Sequence, residues 1–443
     1  MKTPIVDFLT KYKKSKPIRL HMPAHKGMLN GCEMDITEIN GADSLFEANG
    51  IIDESEKNLS LLYNTNFSVY STEGSTLCIK TMLALIKEYA TAKGEKPLIL
   101  ATRNVHSSFL YGVALLDIQV DWLYAKDLTI LSCQIDANSV EEKLLKMKKL
   151  PTAIYLTSPD YLGNIAPIEE ISKVCSKYNI LLIVDNAHGA YLNFLKENIH
   201  PINLGADMCC DSAHKTLPTL TGGAYLHLSK KFNYFTKSQV KTTMKIFAST
   251  SPSYLILASL DWTNKYLNAN KDAYIMCEKQ VQDFKNFCDK IGLKLIGQES
   301  LKVTIDCKNF GYLGTDMAEI LRKENIYVEY SDKDYIVMMF SPFNKSQDFK
   351  KIKKVFLRLV KKPSLNYPSF TPLKPKIKMD VKKALFSQNK IVKVDDAKGE
   401  ILSCANVSCP PAIPLIMSGE EIDQKVIDVM KYYNVEHCCV VKR

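Results

Sequence analysis

Between about residue 74 and residue 230 the chain alternates short β-rich runs with helical patterns, and that alternation leaves few ways to fold. The runs PLILA from 97, IQVDWLY from 118, TAIYLTS from 152, ILLIVD from 180 and GGAYLHL from 222 read as strands. Between two of them, PIEEISKVCSKYN has Pro167 near its start and apolar residues at 168, 171 and 174 to 175, the spacing of one buried helix face. Strands joined by crossover helices build a mainly parallel sheet flanked by helices, so the fold class is α/β.

A second, smaller α/β unit follows, with LKVTID from 301, the helix pattern TDMAEILRKEN from 315, then IYVEYS and YIVMMFS. The Lys- and Pro-rich stretch from 361 to 378 reads as a linker, ahead of a short helix, a strand-like ILSCANVSCPP and a final helix from about 419. The expected division is an N-terminal segment over 1–55, a major domain over 56–290, a small α/β domain over 291–362, a linker over 363–378 and a C-terminal α+β domain over 379–443. With 443 residues, 46% of them hydrophobic and 24% charged, the chain has apolar material for two or three cores.

The same composition narrows the setting. No run approaches the length of a membrane span, and MKTPIVDFLTKYKKSKPIRL offers only VDFL between charges, so neither a signal peptide nor a membrane partner is expected and the location reads as cytoplasmic. Thirteen scattered cysteines without a CxxC spacing argue against a disulfide framework or a zinc ribbon, and no metal is expected. The net charge of +10 gathers in KYKKSK, in DFKKIKKVFLRLVKK from 348 and in LKPKIKMDVKK from 373. Apolar residues interleaved in the second run suit an amphipathic helix with a solvated basic face better than a nucleic-acid surface.

The chemistry concentrates in DSAHKTLPTLTGGAYLHL, residues 211 to 228. A lysine is costly to bury, and small neighbours and glycines mean that something comes close to the backbone. Asp185 falls at the carboxyl end of ILLIV, where α/β sheets place ligands. Alone, that aspartate could bind a metal, hold a cationic ring nitrogen or cap a turn. Lys215, thirty residues on, tips the choice. A lysine amine with an aspartate poised for a pyridinium nitrogen is what a pyridoxal phosphate enzyme needs. Gly74, Ser75 and Thr76 open a long amphipathic helix and offer a phosphate cradle, though the same triplet is equally an ordinary helix cap. Ser212 and His214 flank the lysine and could add contacts to that phosphate. His106, just after PLILA, is placed to stack on a flat ring or to serve as a polar loop residue.

At these residues the chain resembles the ornithine/lysine/arginine decarboxylases, pyridoxal phosphate enzymes of the aspartate-aminotransferase fold (fold type I). LHMPAHKG resembles the family's MPGHKG motif, and DITEINGADSLFEANGII its D-x-TE…D-L segment. EGST is similar to its phosphate turn, TRNVHSS to R-N-x-H-x-S, LTSPDYLGNIAPI to T-x-P-T-Y-x-G, VDNAHGAY to DEAHGAH, and SAHKTLPTLTGGAYLH to its lysine motif. ASTSPSYLILASLD and CPPAIPLIMSGEEI resemble two further signatures, and all nine stand in the family's order.

The resemblance implies Lys215 as the Schiff-base lysine, Asp185 as the pyridinium partner, Ala187 under the ring and His106 over it. It makes Gly74, Ser75, Thr76, Ser212 and His214 the phosphate cup, and His188 a contact near the phenolate oxygen or the substrate carboxylate. What approaches the small residues at 211 to 223 is then the cofactor. Asp160 and Glu73 are acids that could meet a cationic substrate tail or cap loops, with Tyr161 beside the first. Ser251 and Tyr254 are expected near the site, from this chain or a partner subunit. Asn186, Tyr191, Asp160 and Ala24 depart from the family pattern. The chain resembles the short family members, so a homodimer is the expected minimum. The implied reaction is α-decarboxylation of lysine, ornithine or arginine in polyamine synthesis. The alternatives are an aminotransferase or lyase on the same fold, or a non-catalytic regulatory homologue.

Overall fold

The computed structural model describes residues 1–125, 128–129, 131–366, 373–404 and 413–442. Among the described residues seven strands form one sheet: β1 (Phe67–Ser71), β2 (Leu98–Thr102), β3 (Gln119–Leu123), β4 (Ala153–Thr157), β5 (Leu181–Asp185), β6 (Met208–Asp211) and β7 (Ala224–Leu228). They hydrogen-bond in the order β1-β7-β6-β5-β4-β2-β3. The sheet is mostly parallel, as the alternation predicts. β5 runs parallel to β6 with Asp185 opposite Cys210, whereas β7 is antiparallel to both β6 and β1. Every residue of β5, β6 and β7 is buried, which is why LLIV in β5 is continuously apolar rather than alternating.

Two strands differ from the sequence reading. NFSVYS and MCCD carry no strong strand pattern, yet they form β1 and β6 because they pair on the two sides of β7, with Phe67 and Met208 both opposite Leu228. Tertiary pairing overrides weak local propensity here.

By contacts the chain falls into two compact units, the first comprising Met1–Ile99, Lys148–Leu156 and Ile168–Asp272, and the second Leu100–Met147, Thr157–Pro167 and Ala273–Arg443. In the first, α1 (Pro4–Lys14) and α2 (Ile51–Tyr63) pack with the helix Tyr254–Ala269, and α3 (Gly74–Ala92) packs with the helix Lys237–Lys245. Asp43 organises the loop ahead of α2, its carboxylate accepting from the N–H groups of Ser44, Asn49, Gly50 and Ile52 at 2.9 to 3.1 Å. Buried Asp261 does the same for α1, accepting from Ile5 and Val6 N–H at 2.9 and 3.0 Å.

In the second unit α4 (Ser107–Leu116) follows β2. An antiparallel sheet contains β8 (Lys294–Ile296), β9 (Lys302–Asp306), β10 (Tyr330–Ser331) and β11 (Tyr335–Met339) in the order β8-β9-β11-β10. Of the expected strand IYVEYS only its last two residues pair. The helix Ser346–Phe356 buries Phe349, Ile352, Val355 and Phe356 and exposes its lysine face, so this basic run is a solvated helix surface. Toward the C-terminus β12 (Asn389–Lys393) and β13 (His437–Val441) pair over a core that includes Leu402, Ile416, Ile422, Val426, Met430 and Val440.

The last helix begins at Gln424, not near 419. Residues 420 and 421 are engaged in bridges to Ile377 and Ile401, and Asp423 then caps the helix by accepting from Val426 N–H at 2.9 Å. Much of ILSCANVSCPP lies outside the described residues. Within this unit Arg103 and Glu420 form a two-pronged ion pair at 2.7 and 3.0 Å, with side chains only 12% and 1% exposed. The guanidinium also lies over the rings of Trp122 and Tyr124.

Candidate active site

The lysine motif is built on the end of β6. After Asp211 the chain turns through Ser212 into the one-turn helix Ala213–Thr216, which presents Lys215, half-buried, with Nζ 3.2 Å from His188 Nε2. Two nitrogen bases at that distance share one proton. An ammonium at Lys215 requires an unprotonated Nε2 on His188 to accept from it.

His188 comes from the loop after β5, whose last residue is Asp185. The Asp185 carboxylate is 2% exposed; its Oδ1 accepts from Ala187 N–H at 3.2 Å and from the Cys210 thiol at 3.6 Å. Burial, and next the charge of Asp185, push the Cys210 thiol pKa far up, so that thiol stays a neutral donor. The Tyr155 hydroxyl is likewise held protonated, by burial first and then by Asp185. Asp185, Ala187, His188 and Lys215 are thus brought together by the ends of two neighbouring strands.

The phosphate turn joins them. Ser75, in the first turn of α3, has its hydroxyl 2.9 Å from that of Ser212. Gly74 has φ +67°, and a Cβ built on it would meet nothing within 4 Å among the described residues. Open space therefore faces the N-terminus of a 19-residue helix, beside two serine hydroxyls. That is a fit for an anionic phosphate. Thr76 lies in the same first turn. His214 is anchored by Nδ1 donating to Gly223 C=O at 3.0 Å, and burial lowers its pKa. Its imidazole is therefore neutral unless an anion brings a proton to Nε2.

The glycines after the lysine have a different cause from the one expected. A Cβ on Gly222 would sit 2.9 Å from Thr72 C=O, and one on Gly223 would sit 2.8 Å from Thr219 Oγ1. What comes close to them is the protein's own chain, which locks the lysine motif to the phosphate turn through Gly74 N–H donating to Gly222 C=O at 2.7 Å.

Several other expected residues do other work. Asp160 has both oxygens filled by its own surroundings: Oδ1 accepts from Leu162 and Asn164 N–H at 3.0 and 2.9 Å, Oδ2 from Ser132 Oγ and Asn164 Nδ2 at 2.5 and 2.9 Å. Burial raises its pKa, opposed by those bonds. It is a loop organiser on the wall of a cavity of about 300 Å³, not a free acid for a cationic tail. Tyr161 packs edge-on to Tyr330 and donates to Glu329 at 3.3 Å. Tyr254 is buried in its own chain and donates to Asp43 C=O at 2.6 Å. Glu73 accepts from Ser249 N–H at 2.8 Å and ties the phosphate turn to the loop carrying exposed Ser251. His106, in the second unit, caps α4 by accepting from Ser108 N–H at 3.1 Å through Nδ1.

The sequence reading missed a buried group behind the lysine motif. Asp211 accepts from Asn186 Nδ2 at 2.7 Å and faces His200 and His227 at 3.0 and 3.1 Å. Its one signal was an acid directly before the motif's serine, with His227 pointing inward from a fully buried strand.

Sheet order, a lysine and an aspartate on adjacent strand ends, and an open helix N-terminus together define an α/β protein of pyridoxal phosphate fold type I. The family model for the Orn/Lys/Arg decarboxylase major domain matches residues 3–305, and that for the C-terminal domain of the same family matches 363–438. The chain belongs to the Orn/Lys/Arg decarboxylase family and is a decarboxylase. It is 26% identical to an arginine decarboxylase of Halalkalibacterium halodurans, over 98% of this chain and 93% of that one. It is 24% identical to an arginine decarboxylase of Bacillus subtilis, over 96% and 92%. The lysine decarboxylase of Francisella novicida superimposes with a TM-score of 0.81 at 15% identity, covering 99% of this chain and 81% of that one, which shows a shared fold.

Proposed function

We propose that the chain removes the α-carboxylate of a basic L-amino acid, lysine, ornithine or arginine, releasing carbon dioxide and the corresponding amine for polyamine synthesis. The carrying observation is the 3.2 Å contact of Lys215 Nζ with His188 Nε2, at the end of the strand next to the one that ends in Asp185. Pyridoxal phosphate, when bound, supplies the electron sink into which the Cα–carboxylate bond breaks. Lys215 is the residue to hold it. Asp185, an acid among N–H, thiol and hydroxyl donors, is suited to keep a proton on a ring nitrogen. His188 can hold a proton at Nε2 while Lys215 is engaged and return it afterwards. Ser75, Thr76, Ser212 and His214 with the backbone at Gly74 would hold the phosphate, Ala187 would lie under the ring, and His106 keeps the stacking role that the resemblance implies.

Arginine is the first substrate to test, because the Halalkalibacterium and Bacillus relatives carry that activity in their names. Among the described residues no helix is long and apolar enough to cross a membrane, which is consistent with a cytoplasmic place. A homodimer is the proposed assembly. The test is carbon dioxide release and amine identity from purified protein with pyridoxal phosphate, given lysine, ornithine and arginine separately. One strong amine product is expected; keto acid and no amine would overturn the proposal.

A further inference from the structure

Asp211 is 0% exposed, as are Asn186, His200 and His227, the three residues that surround its carboxylate. Each comes from a different segment: Asn186 follows β5, His200 lies in the loop before β6, and His227 is in β7. His200 Nδ1 accepts from Ile202 N–H at 3.3 Å, so its Nε2 carries a proton that points at Asp211. His227 Nδ1 meets the Ser68 hydroxyl at 2.7 Å, and burial lowers its pKa, so it too offers Nε2–H to Asp211 as a neutral ring. Burial opposes charge on Asp211, but His200 and His227 outweigh it and hold the carboxyl well below the usual carboxylate range. The group is a fixed anion with three N–H donors.

The same cluster does not suit a metal. His200, Cys209 and Asp211 lie close enough to share an ion, yet a ligating imidazole donates its other N–H outward, whereas His200 Nδ1 is an acceptor.

We propose that Asp211 is a positioning residue for the decarboxylation: it clamps the ends of β5 and β6 so that Asp185 and Lys215 present a fixed spacing to the cofactor. The inference rests on the proposed placement of the cofactor at those two residues. It also accounts for position 186. A glutamate there, as the family resemblance leads one to expect, would place a second carboxylate against Asp211 without water to screen it. Asparagine supplies a donor at 2.7 Å instead, and its Oδ1 occupies the space that Gly189 leaves by lacking a Cβ, which would sit 2.0 Å from it. In this chain the buried carboxylate stands at position 211 and the amide at position 186.

The test is a reciprocal exchange, N186D, D211N and the double variant N186D/D211N, in the full chain. Three readouts are taken: the pyridoxal phosphate dissociation constant, the pH midpoint of the cofactor's absorption band, and kcat with KM. N186D sets two carboxylates together and should weaken cofactor binding about tenfold or more, with kcat falling further than KM moves. In the double variant the amide oxygen at 211 accepts from both imidazoles while its NH2 donates to the new carboxylate at 186. Cofactor affinity should then return to within about threefold of wild type. D211N alone removes the fixed anion four residues before Lys215 and should lower the pH midpoint by about half a unit or more. Equal affinity in N186D and wild type, a double variant worse than either single one, or an unmoved midpoint in D211N would each overturn the inference. Wild-type protein that binds no cofactor would instead refute the functional assignment on which the inference rests.

Discussion

Replacing Gly222 by Ala should damage the fold and the cofactor site together. Gly222 has φ +97°, a region that costs an L-residue about 1–2 kcal/mol. The new methyl would lie 2.9 Å from Thr72 C=O and 3.2 Å from Ile256 Cδ1, and because the first neighbour is backbone the conflict cannot be relieved by a rotamer change. Overpacking of that kind costs about 1–3 kcal/mol, for a total near 2–5 kcal/mol. The chain would yield by moving Thr72, and with it the bond from Gly74 N–H to Gly222 C=O that holds the phosphate turn. Gly74→Ala is the matched control. Its φ of +67° carries a similar backbone cost, but its methyl meets no atom of the described residues within 4 Å. Urea unfolding of the cofactor-free protein should therefore show Gly222→Ala clearly less stable than Gly74→Ala. Pyridoxal phosphate titration should show both weakened, Gly74→Ala more than its stability loss accounts for. A Gly222→Ala protein as stable as Gly74→Ala would refute the account of why that glycine is there.

Three further outcomes are expected. Lys215→Ala should lose the cofactor's protein-bound absorption band and all multiple turnover, and steady amine production by that variant would rule out the lysine's assigned role. Asp261 has its carboxyl pKa raised to about 6, by burial first, against its bonds to Ser55, Val6 and Ile5. The folded state thus binds a proton more tightly than the unfolded chain, so this contribution to stability is full below about pH 4 and is lost as pH rises through about 6. Relative to Asp261→Asn, wild type should lose about 3 kcal/mol across that window in pH-dependent urea unfolding; a flat difference would contradict it. Glu420→Gln leaves Arg103 buried without its counter-charge and should cost about 3 kcal/mol, while a double replacement of both by Met should cost less than the sum of the single changes.

How far the sequence could be read follows from what each residue meets. Apolar runs such as ILLIV announce a buried strand on their own, and Lys215 and Asp185 stand out because ionisable groups in buried settings are unusual. β1 and β6 did not stand out, since FSVYS and MCCD become strands only by pairing with β7. Acids were legible as acids but not as to their use. Glu73 holds Ser249, Asp160 holds its own turn and Asp211 holds Asn186, and each of these partners is distant in sequence or contributes a backbone N–H that no side-chain pattern reveals. The glycines at 222 and 223 mark places of close approach, and the groups that the structure brings against them are Thr72 C=O and Thr219 Oγ1.

The pairing of Arg103 with Glu420 also bears on how the chain is made. The two residues are separated by 317 positions, so at about 5–20 residues per second a ribosome needs roughly 15–60 s to produce the second after the first. Throughout that interval the guanidinium, which the finished fold places over Trp122, lacks the carboxylate that neutralises it there. A chain ending before residue 420 never acquires that carboxylate, nor Val426, Met430 and Val440 of the C-terminal core, so termination close to the 3′ end of the message should lower the soluble yield even though every residue of the lysine motif has already been synthesised.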